Sequence, residues 1–319
     1  MANLSDEQLR HFEQYGYLQL GTVLDESQLD ALRRRLDAIM LGEIRNPGLQ
    51  FQLDTGGAYE ALADPVAGLP EKTLGYRKVQ GLETDPLFLE LIQRPLFRDV
   101  CASQYGRHAS VSIFRAMLMN KPAGQGTYLP WHQDAGDVWR LDRDPVVTVW
   151  IAIDRATRAN GCLQFVPGSH RLGLLSKYGS TVSPEHAAIH CPDDAVRYLE
   201  VDAGEAVALH NWVLHRSGVN PTDAPRRALV FSYMDGRTLN ALTGKRFPVV
   251  FGEAEPPETA MPFLKALRDE NNQLRTTASE AGRYARSLLE HAERLEQARA
   301  EAERYAKSLE AELARDRRS

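Results

Sequence analysis

Cysteine is scarce in this chain. Three occur in 319 residues, Cys101, Cys162 and Cys191. Their odd number and the lack of any Cys-x-x-Cys pair argue against a disulfide framework and a cysteine-rich zinc site. An excess of positive charge is also missing. The formal net charge is −5, which argues against a nucleic-acid partner held by a general basic surface. No apolar run is long enough to span a membrane. The first residues, Met1-Ala2-Asn3-Leu4-Ser5-Asp6, lack the basic-then-apolar pattern of an export signal. These absences lead to the expectation of a cytoplasmic protein in a reducing compartment. Cys162, set in an apolar run, reads there as a small buried hydrophobe. What remains is ordinary for a globular protein, with 43% hydrophobic and 25% charged residues. The length allows one large domain or two smaller ones.

Ser5 and Gln8 have the spacing of a capping box, so a first helix is expected from there to about Gly16. Tyr17-Leu18-Gln19-Leu20 reads as a short strand. Asp25 or Ser27 caps a second helix with Leu29, Leu32, Leu36 and Ile39 on one face. Pro47 to Gly68 reads as a loop-rich stretch, and a helix is expected over about Pro86 to Cys101. From Ala109 the pattern changes to strands: Val111 to Met119, Val146 to Ile153, Leu163 to Val166, Glu205 to Leu209 and Arg227 to Met234. With no helices alternating between them, they suggest a β-sandwich or barrel, with the N-terminal helices on its outer face.

The last segment differs in kind. Beyond the Pro-rich Glu253 to Glu258, Leu264, Asn271, Ala278, Ala285, Ala292, Arg299, Ala306 and Leu313 recur every seven residues. Leu267, Leu274, Ala281, Leu288, Leu295, Ala302 and Leu309 form the interleaved series. Such a repeat is the pattern of a coiled coil. It divides the chain into residues 1–258, with a β core at about 109–236, and a C-terminal coiled-coil helix at 259–319. It also implies a homodimer through that helix. A single solvated helix rich in i,i+4 charge pairs is the alternative, and Gly282 and the many alanines weaken the seam.

Chemistry concentrates in Trp131-His132-Gln133-Asp134. Residues i and i+2 of a strand share a face, so an imidazole and a carboxylate there can bind one metal ion from one side. Two histidines and one carboxylate on one face of iron(II) leave positions open for a cosubstrate and dioxygen. A His-x-Asp tripeptide alone is common by chance. Further on come Asn160-Gly161-Cys162-Leu163, Pro167-Gly168-Ser169-His170, His215-Arg216-Ser217-Gly218-Val219-Asn220 and Arg226-Arg227. His186 and His190 have i,i+4 spacing, with Cys191 following, and are a second, weaker metal candidate.

In combination, these motifs closely resemble the phytanoyl-CoA dioxygenase family of iron(II)- and 2-oxoglutarate-dependent oxygenases. The resemblance covers roughly Leu9 to Asp235. It implies a double-stranded β-helix, a jelly-roll or cupin-like barrel with the iron inside. It assigns His132, Asp134 and His215 as iron ligands. His210 competes for the third place, and His215 is preferred because Ser-Gly-x-Asn follows it. His170 matches a family motif away from the metal, at the turn or the pocket border. Asp134 disfavours the halogenating relatives, which replace that carboxylate with a small residue.

The far carboxylate of 2-oxoglutarate needs a cation, ideally a bidentate guanidinium. On a regular strand, Arg226 shares a face with the small Ala228, Val230 and Ser232. Arg227 shares the other with Leu229, Phe231 and Tyr233. The smaller face suits a ligand pocket, and the family spacing also selects Arg226. The resemblance adds Trp150, Ser217 and Lys78 to the cosubstrate lining. It implies oxidative decarboxylation of 2-oxoglutarate coupled to hydroxylation of an unactivated C–H bond in a small-molecule substrate. A sugar, lipid or acyl substrate is left open. A non-catalytic metal-binding barrel working through its coiled coil is the alternative, and a metal-dependent isomerase or hydrolase would have no need of Arg226.

Overall fold

The structure is a computed structural model. It describes residues 4–56, 59–124, 126–176 and 181–252, and within 253–319 only 273, 277, 281, 282, 288, 291 and 299. The chain divides into two units, Met1–Ala254 and Glu255–Ser319.

The first unit begins with α1 (Asp6–Tyr15), β1 (Tyr17–Thr22) and α2 (Glu26–Met40). Ser5 closes the expected capping box, its hydroxyl accepting from Gln8 N at 3.2 Å while Gln8 Oε1 accepts from Ser5 N at 2.9 Å. Asp25 rather than Ser27 caps α2, in the same reciprocal arrangement with Gln28. Gly16 ends α1 at φ 73°. A Cβ there would lie 2.5 Å from both His170 Nδ1 and Val213 Cγ2, so only glycine lets the turn approach this closely.

Next come β2 (Gln50–Leu53), β3 (Val66–Ala67), β4 (Tyr76–Gln80), α3 (Pro86–Ile92), α4 (Pro95–Tyr105) and β5 (Val111–Lys121). The loop-rich stretch expected over Pro47 to Gly68 also holds two short strands. The helix expected over Pro86 to Cys101 is two helices, because Pro95 has no N–H to continue the first and instead starts the second. The rest is β6 (Leu129–His132), β7 (Val147–Ala152), β8 (Leu163–Phe165), α5 (Pro184–His190), β9 (Arg197–Leu199), β10 (Glu205–His210), β11 (His215–Ser217), β12 (Arg226–Asp235) and β13 (Val249–Phe251).

The described residues make a mainly β protein of two antiparallel sheets. The larger runs β1-β10-β7-β12-β5-β4-β2-β3, with β13 also paired to β5. The smaller runs β6-β11-β8-β9. Their inner faces meet through Met117, Trp150, Val207 and Val230 from the large sheet and Leu163, Phe165 and Leu199 from the small one. The outer face of the large sheet carries Leu229, Phe231 and Tyr233, packed with Leu32, Leu36 and Ile39 of α2 and Phe97 and Val100 of α4. Burying a side chain of this size contributes roughly 1.5–3 kcal/mol. The expected placement of the N-terminal helices outside the barrel is thus observed.

In the second unit, Gln273, Thr277, Ala281, Gly282, Leu288, His291 and Arg299 are helical. Of the seven-residue seam, only Ala281, Leu288 and Arg299 are among them. The rest of the expected coiled coil, and the dimer built on it, lies outside the described residues.

Candidate active site

His132 ends β6 and His215 begins β11, and the two are register partners across those strands. Their rings sit 3.9 Å apart, centroid to centroid. Asp134 is not on the strand, because β6 stops at His132. Instead, Asp134 N donates to Asn211 O at 2.7 Å, and Asn211 Nδ2 donates to Asp134 O at 3.2 Å. That exchange ties the residue to the segment leading into β11. Its carboxylate lies 3.9 Å from His132 Nε2 through one oxygen and 3.8 Å from His215 Nε2 through the other. One donor atom from each of the three residues falls within 4.8 Å of the others, the only such cluster found among the described residues.

Both imidazoles are oriented by backbone. His132 Nδ1 is 2.8 Å from Pro130 O, and His215 Nδ1 is 2.8 Å from Val213 O. A carbonyl only accepts, so each Nδ1 carries the proton and each Nε2 presents a lone pair to the common centre. Burial, with His215 next to it, pushes His132 down to about 3. It is therefore neutral and ligand-competent at physiological pH. Gln133 points away and is fully buried. Its amide donates to Gly173 O and Trp212 O and accepts from Leu175 N, each at 2.8 Å. The middle residue of the motif thus fastens the loops that carry its neighbours.

The three residues open into a cavity of about 840 Å³. Arg226, Trp150, Ser217 and Lys78 all line it. Arg226 is buried, with its guanidinium carbon 5.8 Å from the Trp150 ring centroid. One terminal nitrogen donates to Gly161 O at 3.2 Å, and Nε is buried without a partner. Burial pushes the group down to about 10, so it stays charged. Arg227, one residue on, points to the other face. It binds Asp154 at 2.8 Å and Asp37 at 2.9 Å. Burial pushes Lys78 down to about 7, with Arg77 and Arg115 adding to the effect.

The remaining histidines sit elsewhere. His210 Nδ1 accepts from Trp212 N at 3.0 Å, and its ring is 4.8 Å from that of His170. His170 Nε2 donates to Glu13 O at 3.1 Å, the last turn of α1. The pair secures the N-terminal helix and does not line the cavity. His186 and His190 lie 5.9 Å apart on α5, and no third ligand joins them among the described residues. Thr148 and Asn211 were not anticipated from sequence, and Ser232 only as a small residue on the face of Arg226. Thr148 Oγ1 donates to Asn211 Oδ1 at 3.0 Å and lies 3.0 Å from Ser232 Oγ. Each is a lone polar residue in or next to an apolar strand run, which was the available signal.

A family model described as phytanoyl-CoA dioxygenase matches residues 12–228. A probable phytanoyl-CoA dioxygenase of Caenorhabditis elegans is 30% identical over 241 residues, 72% of this chain and 75% of that protein. Among solved structures, the carbocyclase SnoK from nogalamycin biosynthesis aligns with a TM-score of 0.58 at 20% identity, over 75% of this chain and 87% of that one. EctD from S. alaskensis, solved with 2-oxoglutarate and 5-hydroxyectoine, aligns with a TM-score of 0.57 at 19% identity, over 80% and 82%. These likenesses place the two-sheet barrel among cupin-like oxygenase folds. With the family match over most of its length, the chain belongs to the phytanoyl-CoA dioxygenase family and is an enzyme of the iron(II)- and 2-oxoglutarate-dependent class.

Proposed function

We propose that His132, Asp134 and His215 hold iron(II), and that the enzyme hydroxylates an unactivated C–H bond of a small-molecule metabolite. The observation that carries this reading is the convergence of two Nε2 lone pairs and one carboxylate, with both Nδ1 positions already committed to backbone carbonyls. That donor set suits iron(II) and leaves coordination positions open. Iron(II), when bound, supplies the redox chemistry by which dioxygen decarboxylates 2-oxoglutarate to succinate and carbon dioxide while the substrate is oxidised.

The protein's own part is binding, orientation and exclusion of water. Arg226 receives the far carboxylate of 2-oxoglutarate. Its partnerless Nε and remaining terminal N–H groups are the donors available for it. Ser217 adds a hydroxyl on the same wall, and Trp150 packs beside the guanidinium. Lys78, in its ammonium form, gives a second positive charge. The test is an anaerobic titration with iron(II) and 2-oxoglutarate, followed by succinate release in air. The weak visible band of the chelate is expected with both components and with neither alone. A protein that binds iron but never forms that band would refute the reading.

Residues 259–319 are proposed as a coiled-coil helix that joins two copies of a 1–258 oxygenase domain. The seven-residue seam supports this, with Asn271 at a position where a buried polar residue sets partner number. Deleting 259–319 is expected to halve the mass seen in sedimentation and to leave the chelate band intact. Equal oligomeric states would remove the tail from that role. A cytoplasmic setting is part of the same proposal. It is supported by three free cysteines, and no helix among the described residues is long and apolar enough to cross a membrane.

A further inference from the structure

Arg115 lies on β5 on the same strand face as Met117 and Met119, and all three line the cavity. Its guanidinium carbon is 4.4 Å from the Phe114 ring centroid and 4.1 Å from that of Trp139. Ring faces can hold a cation in place without satisfying its N–H edge. No ion pair or hydrogen bond to the Arg115 side chain occurs among the described residues. Arg33, Arg35 and Arg227, in contrast, each bind a carboxylate within 3 Å. The anion that acts on Arg115 most strongly is Asp134, which the proposed metal already uses. The other cations here have assigned work: Arg226 and Lys78 face the cosubstrate, and Arg77 donates to Gln52 at 2.8 Å.

Trp139 ends the short 3-10 turn Asp137–Trp139 that follows Asp134. The turn closes on Arg140 at φ 54°, the one non-glycine residue with positive φ among the described residues. The Arg140 carbonyl accepts from Ala241 N at 2.7 Å, which pins this unfavourable conformation. The loop carrying the metal carboxylate is therefore held where it also braces Arg115. Gln50, Glu60, Asp64 and Gln80 line the cavity too. Gln50, Glu60 and Asp64 are exposed to water, and a hydrocarbon chain laid over them would take them out of water without giving them partners.

We propose that Arg115 determines specificity by receiving an oxyanion of the primary substrate, which is then a small hydrophilic carboxylate or phosphate ester and not a fatty acyl chain. This rests on the iron(II)/2-oxoglutarate reading above. A guanidinium resting against two adjoining rings, whose centroids are 4.9 Å apart, presents its donor edge to one planar or tetrahedral oxyanion. The polar wall then meets the substrate's hydroxyl or amide groups.

The test uses the full chain, loaded anaerobically with iron(II) and 2-oxoglutarate, with the visible chelate band as readout. Glucose, glucuronate, glucose 6-phosphate and a neutral decanoyl thioester are titrated as probes. At least one anionic sugar is expected to shift the band at a concentration about tenfold or more below glucose and the thioester, as a charge-assisted contact requires. Which of the two does so separates carboxylate from phosphate. R115Q is expected to abolish the preference, and R115K to restore part of it as a point charge without the fork. No preference for either anion in the wild type, an unchanged preference in R115Q, or a thioester that acts first would each overturn the assignment. So would an R115Q protein whose only defect is a raised 2-oxoglutarate requirement, since Arg115 would then serve the cosubstrate. A wild type that forms no band before any probe is added fails at the earlier reading instead.

Discussion

The two faces of the large sheet are built from the same strands and do opposite things. On β12, Leu229, Phe231 and Tyr233 point outward into a sealed apolar layer. Tyr233 has its hydroxyl satisfied by Ile92 O at 2.8 Å. Ala228 and Val230 point inward beside Trp150, leaving room for the cavity, and Arg226 lines it. The contrast is sharpest in two consecutive arginines. Arg227 is held by Asp154 and Asp37. Arg226 has one carbonyl and a partnerless Nε. A buried cation with its counter-charges present is part of the framework. One without them is poised for a ligand, because leaving it unpaired costs free energy that a bound anion recovers.

The largest test of that contrast is removal of an inward metal ligand. His132→Ala, Asp134→Ala and His215→Ala are each expected to abolish 2-oxoglutarate turnover and iron retention. Thermal unfolding should move little, because all three side chains face the cavity and not the sealed layer. Near-normal turnover in any variant would take that residue out of the ligand set.

Next in size is the arginine pair. Arg226→Ala should raise the 2-oxoglutarate requirement roughly thirty- to a thousand-fold, the worth of a charge-assisted bidentate contact of about 2–4 kcal/mol. Arg227→Ala should leave that requirement nearly alone and instead destabilise the fold by about 1–3 kcal/mol, since Asp154 loses its bidentate partner and keeps only the backbone N–H of residue 227 and Arg33, and Asp37 loses its ion pair. A swap of the two phenotypes would mean that the inward and outward faces have been exchanged.

This sorting of faces was legible in the sequence, because period-two alternation between small and bulky residues runs from Ala228 to Tyr233 of β12. The capping box of α1 was legible for a similar reason, as a local signal complete within four residues, while the cap of α2 was left between Asp25 and Ser27 and its capping box with Gln28 was not read. What escaped depends on distant partners. β2 reads Gln-Phe-Gln-Leu and is a strand because β4 extends the sheet from β5 and β2 pairs onto it. β6 and β11 are four and three residues long, too short for any periodicity. The three residues proposed to hold iron could be named from motif resemblance, but the cause of their convergence could not. His132 and His215 meet because β6 pairs with β11, and Asp134 reaches them from beyond the strand end through Asn211.

That role for Asn211 gives the third prediction. Asn211 is buried and bonded to Asp134 through backbone and side chain, with Thr148 holding its amide. Asn211→Ala should weaken iron affinity about ten- to a hundred-fold, the usual cost of removing a partner that orients a metal ligand. Thr148→Val should show a smaller loss in the same direction. Iron retention measured by competition with a chelator checks both. Unchanged affinity in Asn211→Ala would show that the backbone exchange alone positions Asp134.

The smallest expected effect concerns Lys78, the inward cation that burial has brought to about 7. Arg226, at about 10, stays charged through the neutral range, and His132, at about 3, stays neutral there. Neither changes state near pH 7. Lys78 does. Below about 7 it is an ammonium that attracts the 2-oxoglutarate carboxylates, and above that it becomes a neutral amine. A bound dianion favours the charged form, so binding takes up a proton as pH rises through this range. Affinity should therefore be highest on the acid side and fall by at most about tenfold per pH unit above it. Iron(II), a further positive charge, lowers the lysine as burial does and starts the fall earlier. The half-saturation of the chelate band, measured between about pH 6 and about pH 8.5 at constant ionic strength, reads this directly. Lys78→Met should bind 2-oxoglutarate more weakly at the acid end and show a flat profile. A wild-type slope that persists unchanged in Lys78→Met would take Lys78 off the cosubstrate and leave Arg226 as the principal inward cation that meets it.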